Sequence, residues 1–86
     1  MRGPMTLDLL ETLAIVDDDV TAVVNAYMAD RGCGSITFGK DYRIDPAAAV
    51  AGHPFANALI RQLWAHDGLR RAAVRAAVML ADPEHA

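Results

Sequence analysis

The sequence predicts a helix-dominated α+β fold, with four to five short helices and one small β-hairpin near residues 35–44. Most of the chain repeats apolar residues at helical spacing, whereas residues 35–44 are β-prone and interrupted by glycine. The length of 86 residues suits one domain, and a hydrophobic content of 53% argues against disorder. We therefore expect a single small globular domain over residues 1–86, frayed at residues 1–5 and 82–86.

The first two helices are predicted from their caps and their apolar spacing. Thr6 is placed to cap a helix over about Leu7–Ile15, in which Leu9, Leu10 and Leu13 would face inward. We expect the second helix over Asp18–Arg31, with Asp17 or Asp18 as its cap and Gly32 at its end. Its apolar residues form one stripe along the helix: Val20, Val23, Val24, Tyr27 and Met28.

Two short β-prone segments follow, Ser35–Phe38 and Tyr42–Ile44, and the three residues between them predict a hairpin turn. Such a hairpin is marginal by itself, so it has to pack on the helices. The pair Asp45-Pro46 is a strong helix start, with a cap followed by proline at the first helical position. The alanine-rich run after it ends at Gly52.

Two further helices complete the prediction. Pro54 opens one that continues to about His66, with an apolar arc of Phe55, Leu59, Ile60, Leu63 and Trp64. The last is expected over about Leu69–Ala81 and stops before Asp82-Pro83. On a helical wheel its core face is predicted to contain Leu69, Ala73, Ala76 and Leu80, which leaves Val74 and Val78 on the opposite side.

Charge and cysteine content restrict the class of protein. The net charge is −3, with a net charge of −4 on residues 1–45 and +1 on residues 46–86. Neither half has the basic footprint of a typical nucleic-acid binder. The only cysteine is Cys33, the chain has no apolar run of membrane-spanning length, and its first residues lack the apolar stretch expected of a signal peptide. These features predict a cytoplasmic protein that does not enter a membrane.

No motif in the sequence predicts catalysis, a cofactor or a bound metal. Three consecutive aspartates, residues 17–19, point in different directions on a helix and are typical of helix capping. Cys33, His53 and His66 lack the spacing of a metal site, and no serine–histidine–acid arrangement is evident. We expect His66 to be partly buried and hydrogen-bonded. We expect no catalytic residue, no cofactor and no metal, and a protein that is not an enzyme.

The last two helices carry the predicted interface. Trp64 lies at the edge of its apolar arc, and small valines alternate with arginines on the exposed side of the last helix. Arginine stems beside small apolar residues suit a protein interface, where tryptophan and arginine are enriched. The candidate interface residues are Arg61, Trp64, Arg70, Arg71, Val74, Arg75 and Val78.

The sequence thus predicts a small interaction or regulatory protein, an inhibitor or accessory factor of phage or mobile-element type, whose partner is another protein or a second copy as a homodimer. Two other interpretations stay open. The chain also has the order of elements of a helix-turn-helix DNA-binding regulator, in which a helix, an Asp-Gly break and a basic helix follow one another. The acidic net charge makes nucleic acid the weaker expectation. Alternatively, the arginine-bearing face meets only solvent.

Overall fold

The computed structural model describes residues 5–39, 41–62 and 66–85. Five helices lie within these ranges: Thr6–Glu11 (α1), Asp17–Ala29 (α2), Pro46–Ala51 (α3), Pro54–Ile60 (α4) and Asp67–Leu80 (α5). Three short strands, Ile36–Phe38 (β1), Tyr42–Ile44 (β2) and Glu84–His85 (β3), form an antiparallel sheet in the order β1-β2-β3. The predicted helix-dominated α+β class is confirmed.

The apolar stripe of α2 lies in the core, as its spacing predicts. Its most buried residues are Val20, Val23, Val24 and Tyr27. The predicted cap is wrong, because Val16 and not an aspartate occupies the N-cap position. The carboxylate of Asp19 reaches back and accepts a hydrogen bond from the Val16 amide at 2.9 Å. An acidic side chain at the third helical position thereby satisfies an amide at the helix start.

The hairpin has the predicted strands, and Ile36 pairs with Ile44 and Phe38 with Tyr42. The Phe38 and Ile44 side chains are buried, so the hairpin contributes to the core. The C-terminal tail, residues 82–86, was expected to fray, and two of its residues form β3. Glu84–His85 pairs with β2, and Glu84 forms an ion pair with Arg43 at 3.1 Å. Backbone pairing with an available strand edge orders a tail that has no apolar pattern of its own.

Each of the next three helices begins with a residue whose side chain caps it. The Asp45 carboxylate caps α3 by accepting from the amides of Ala47 and Ala48 at 3.1 and 3.4 Å. His53 caps α4 through Nδ1, which accepts from the Ala56 amide at 3.1 Å. His66 caps α5 in the same way, with the Leu69 amide at 3.2 Å.

The helix predicted from Pro54 to about His66 is shorter in the structure. It ends at Ile60, with Arg61 as its C-cap, and residues 63–65 lie outside the described part of the chain. His66 belongs to the start of α5 and is exposed, so its predicted partial burial is wrong. Its imidazole is held by the cap bond instead of by burial.

Helix α5 is the centre of the fold, since it packs against α1, α2, α3 and α4. At its C-terminal end the carbonyl of Ala81 accepts a hydrogen bond from the Thr6 amide at 2.9 Å and another from the Thr6 hydroxyl at 3.3 Å. Thr6 is fully buried there. The two ends of the described chain are therefore tied together beside α5.

The face of α5 that enters the core differs from the predicted face. Ala76 and Leu80, expected to be buried, are exposed. At about 100° per residue the observed core face is rotated by about a quarter turn from the predicted one. The leucines of the predicted face, Leu69 and Leu80, lie near the two ends of α5, whereas Val74 and Val78 lie between them, so packing against the other helices and not side-chain size decides which face is buried. The residues that are buried on α5 are Ala73, Val74, Ala77 and Val78.

Two further apolar residues are placed differently from the prediction. Helix α1 ends at Glu11 and not at Ile15, and Leu13 is exposed instead of facing inward. In α4, the buried residues are Ala56, Leu59 and Ile60, whereas Phe55 is exposed. Phe55 lies about 100° round the helix from Ala56, at the edge of the arc. Among the described helices, none has the length and apolar character needed to cross a membrane.

Candidate protein-interaction surface

The three arginines of α5 are bonded within the protein. Arg75 forms an ion pair with Asp17, and Arg71 donates to the side-chain oxygen of Asn25. Both of those partners belong to α2, so the arginines connect α5 to its neighbour. Arg70 donates to the backbone carbonyl of Gln62, just after α4. A guanidinium engaged in this way is less available to phosphate or to a partner than the sequence suggests.

Two of the other predicted interface residues are buried in the core. Val74 and Val78 are 0% exposed, so their assignment to an exposed face is wrong and they belong to the core. Arg61 is exposed at the end of α4. Trp64 lies outside the described residues. The helix-wheel error on α5 accounts for both valines, because a rotation of the core face by about a quarter turn brings positions 74 and 78 into the buried arc.

A different surface carries exposed apolar side chains, at the connection between α1 and α2. Leu13 is 79% exposed and Val16 is 53% exposed, whereas Ile15 between them is 1% exposed. The sequence analysis did not single out this connection. Four consecutive apolar residues, Leu13-Ala14-Ile15-Val16, do not indicate which of them faces the core, and no helical or strand periodicity runs through them.

The backbone at Leu13 is in the left-handed region, with φ of 63°. Leu13 follows the C-cap of α1, where the chain makes the paired bonds of a Schellman motif. The Ala14 amide donates to the carbonyl of Leu9 at 2.9 Å, and the Leu13 amide donates to the carbonyl of Leu10 at 3.2 Å. Glycine is the usual residue at this position because a Cβ is unfavourable there by about 1–2 kcal/mol. Leucine is therefore unfavourable here in both its backbone conformation and its exposure.

The hairpin turn approaches this connection closely at Gly39. A Cβ built on Gly39 would lie 2.9 Å from Cγ2 of Ile15, and the backbone φ of Gly39 is +60°. Only glycine fits such a contact without a shift of its neighbours. The approach forms a groove with a volume of about 520 Å³ between the α1–α2 connection and the turn. We call it the Leu13 groove; it is lined by Leu13, Ala14, Ile15, Val16, Asp19, Gly39, Asp41 and Tyr42.

The backbone amides on the helical side of the Leu13 groove are all used inside the protein. Those of Leu13, Ala14 and Ile15 donate to carbonyls of α1, and that of Val16 donates to the Asp19 carboxylate. This side of the groove therefore presents apolar side chains, carbonyl oxygens and carboxylates, and no backbone donor.

The charge around the groove is negative. Residues 5–30 contain no lysine or arginine. Arg75, from α5, is paired with Asp17. Asp19 and Asp41 line the groove itself, and Asp41 is exposed. The one lysine of the chain, Lys40, lies outside the described residues. The acidic residues of the 5–30 segment are Asp8, Glu11, Asp17, Asp18, Asp19 and Asp30.

The aspartate triplet and Cys33 were the other candidate site residues in the sequence. Asp17 pairs with Arg75 and Asp19 with the Val16 amide, so the aspartate triplet organises the start of α2. Cys33 is half-buried and its thiol is free of a disulfide. Within residues 5–39, 41–62 and 66–85, no group of three or more His, Cys, Asp or Glu side chains is placed to hold a metal ion.

No protein-family model matches this chain, and no curated protein or solved structure matches it either.

Proposed function

We propose that this chain is a small non-enzymatic protein that acts by binding another protein, as a regulator, inhibitor or accessory factor, and that it binds through the Leu13 groove. The proposal keeps the function predicted from the sequence and moves its surface from α5 to the α1–α2 connection. The arginines of α5 serve mainly to hold that helix against α2 and α4.

The observation that carries this proposal is Leu13 itself. An exposed leucine in a left-handed backbone conformation is unfavourable for the free protein, and glycine would be the more stable choice. Strained backbone concentrates at sites of binding and catalysis, where function compensates for the lost stability. Burial of Leu13 and Val16 against a partner would recover apolar area that the isolated fold leaves in water.

The helix-turn-helix alternative has less support. Arg75 and Arg71 are engaged by Asp17 and Asn25, and the acidic first turn of α2 lies beside them. Carboxylates next to the arginines would repel a DNA backbone, whose binding depends on many unopposed cations. The same engagement also makes the arginine face a weaker candidate for a protein partner.

Affinity capture from the native host, with three baits compared, tests the proposal. The baits are the wild-type protein, the Leu13→Gly variant and the Phe55→Ala variant. Phe55 is the matched control because it is 63% exposed and apolar, yet it lies in a regular helix away from the groove lining. We expect a protein that is enriched by the wild type and by Phe55→Ala but is reduced at least about tenfold with Leu13→Gly.

Two outcomes would contradict the proposal. A partner retained by Leu13→Gly and lost with Phe55→Ala would move the binding surface to α4. Duplex DNA bound with high affinity, and lost with Arg71→Ala and Arg75→Ala, would favour the DNA-binding alternative, with an affinity that falls by orders of magnitude as salt rises.

A further inference from the structure

We infer that the Leu13 groove takes a short basic segment of a partner protein, in which arginine or lysine side chains flank an aliphatic residue. This inference rests on the proposed function and adds the chemistry of the partner. It follows from the polarity of the groove, from its charge and from its size.

The polarity of the groove favours a ligand that brings hydrogen-bond donors. The amides of residues 13–16 are used inside the protein, so the α1–α2 side offers carbonyl and carboxylate oxygens only. A ligand made of acceptors, such as a phosphate or an acidic peptide, would meet no backbone donor there. Arginine carries five N–H donors and lysine three, and neither is an acceptor.

Charge selects the same ligand. Asp19, from α2, and Asp41, from the hairpin turn, both line the groove. A cation bound in the groove would interact favourably with these carboxylates, and such complementary charges speed and orient association. Leu13 and Val16, also in the lining and exposed, provide the apolar contact for an aliphatic side chain.

Size limits the length of the segment. A groove of about 520 Å³ lies within the range of about 300–1,000 Å³ that is typical of ligand sites. It therefore accommodates a few residues and not the whole face of a long helix. The basic segment would enter between the α1–α2 connection and the turn, the two elements that Gly39 brings together.

A second copy of this chain fits the groove poorly. In a symmetric dimer the same surface meets itself, so the acidic residues of the two copies would face one another. The arginine-rich part of the chain is also engaged, with Arg70, Arg71 and Arg75 bonded to other elements of the same molecule. A different protein with an accessible basic segment avoids both conflicts.

Selection from a library of random peptides of about seven residues provides the test, and its result does not depend on knowing the natural partner. Peptides are selected on the wild-type protein and counter-selected on Leu13→Gly, so that only those requiring the groove remain. We expect the survivors to be enriched in arginine and lysine around a central leucine, isoleucine or valine. In NMR titrations with these peptides, the amide and methyl signals of Leu13 and Val16 should shift.

The carboxylates are then tested with the double variant Asp19→Asn, Asp41→Asn. Asparagine retains the acceptor for the Val16 amide while removing the charge, so the start of α2 is preserved. We expect the selected peptides to bind about fivefold more weakly to this variant, with a smaller difference at about 1 M salt. Asp30→Asn, at the other end of α2, is the matched control and should bind as the wild type does.

The outcomes separate this inference from the proposed function. Survivors that are acidic or uncharged, or that bind equally well to the double variant, would overturn the basic-segment inference and leave the groove as the binding surface. No survivor after counter-selection would contradict both. A dimer in sedimentation experiments that is lost in Leu13→Gly would replace the basic segment by a second copy and also overturn the inference.

Discussion

At the level of single residues, Leu13 combines a left-handed backbone with an exposed apolar side chain. Its backbone lies at a φ of 63° and its side chain is mostly exposed. We expect Leu13→Gly to raise the free energy of unfolding by about 0.5–1 kcal/mol, which is the relief of left-handed strain less the greater entropy of glycine in the unfolded chain. Urea denaturation measures the change. An unchanged or lower stability would show that Leu13 is not strained.

Gly39 provides a second residue-level prediction. Gly39→Ala should destabilise the fold by about 2–3 kcal/mol. The added methyl group would lie 2.9 Å from Cγ2 of Ile15, and the alanine backbone would have to adopt a positive φ. Gly34→Ala is the matched control, since Gly34 also has a positive φ but nothing within 4 Å of the built Cβ. It should lose only about 1 kcal/mol. Equal losses in thermal denaturation would mean that the contact with Ile15 contributes nothing.

Residue-level features were the least accessible to sequence analysis. A leucine in the left-handed conformation carries no local signal, because the pattern of hydrogen bonds around α1 imposes it. The requirement for glycine at position 39 likewise depends on Ile15, which is distant in sequence. By contrast, Asp45 before Pro46 signals a helix start within the local sequence, and the structure confirms this cap.

At the level of elements, the orientation of α5 is open to a direct test. Val78→Glu should destabilise the protein by several kcal/mol, because it places an unpaired charge at a position that is 0% exposed. Ala76→Glu, two residues earlier and exposed, should change stability by less than about 0.5 kcal/mol. Thermal unfolding monitored by circular dichroism compares them. The opposite ranking would restore the helix face predicted from the sequence.

The histidine cap of α4 gives a second prediction at the level of elements. His53→Ala removes the acceptor for the Ala56 amide, and we expect a loss of about 1 kcal/mol in the free energy of unfolding. His53→Asn retains a capping oxygen and should be close to the wild type. Chemical denaturation of the two variants gives the difference. If both lose the same amount, the imidazole stabilises the fold by packing and not by capping.

Sequence periodicity located the elements better than it located their faces. The stripe of α2 combines large apolar residues at regular spacing with a polar opposite side, so both its position and its buried face follow from the pattern. In α5, alanines occur on every side and Arg75 lies between the two valines. A helical wheel then has two comparable apolar arcs, and only the packing against α1, α2, α3 and α4 decides between them.

At the scale of the whole molecule, the uneven charge is organised across the fold. The acidic N-terminal half and the more basic C-terminal half meet where Arg75 pairs with Asp17. This contact neutralises part of α2 on the side of α5. Acidic groups remain at the Leu13 groove, on the hairpin side, and the predicted arginine surface is largely absorbed into contacts between helices. The sequence analysis placed these arginines on an exposed interface, because spacing alone does not show which cations find partners within the chain.

The most direct test of the central claim measures stability and binding together for two substitutions at Leu13. Leu13→Gly and Leu13→Ala both remove the exposed side chain, but only glycine relieves the backbone strain. We predict that both weaken binding of the captured partner by about 1–4 kcal/mol in calorimetric titrations. Only Leu13→Gly should gain stability in urea denaturation. Unchanged affinity in both variants would contradict the claim that the protein binds its partner through this groove.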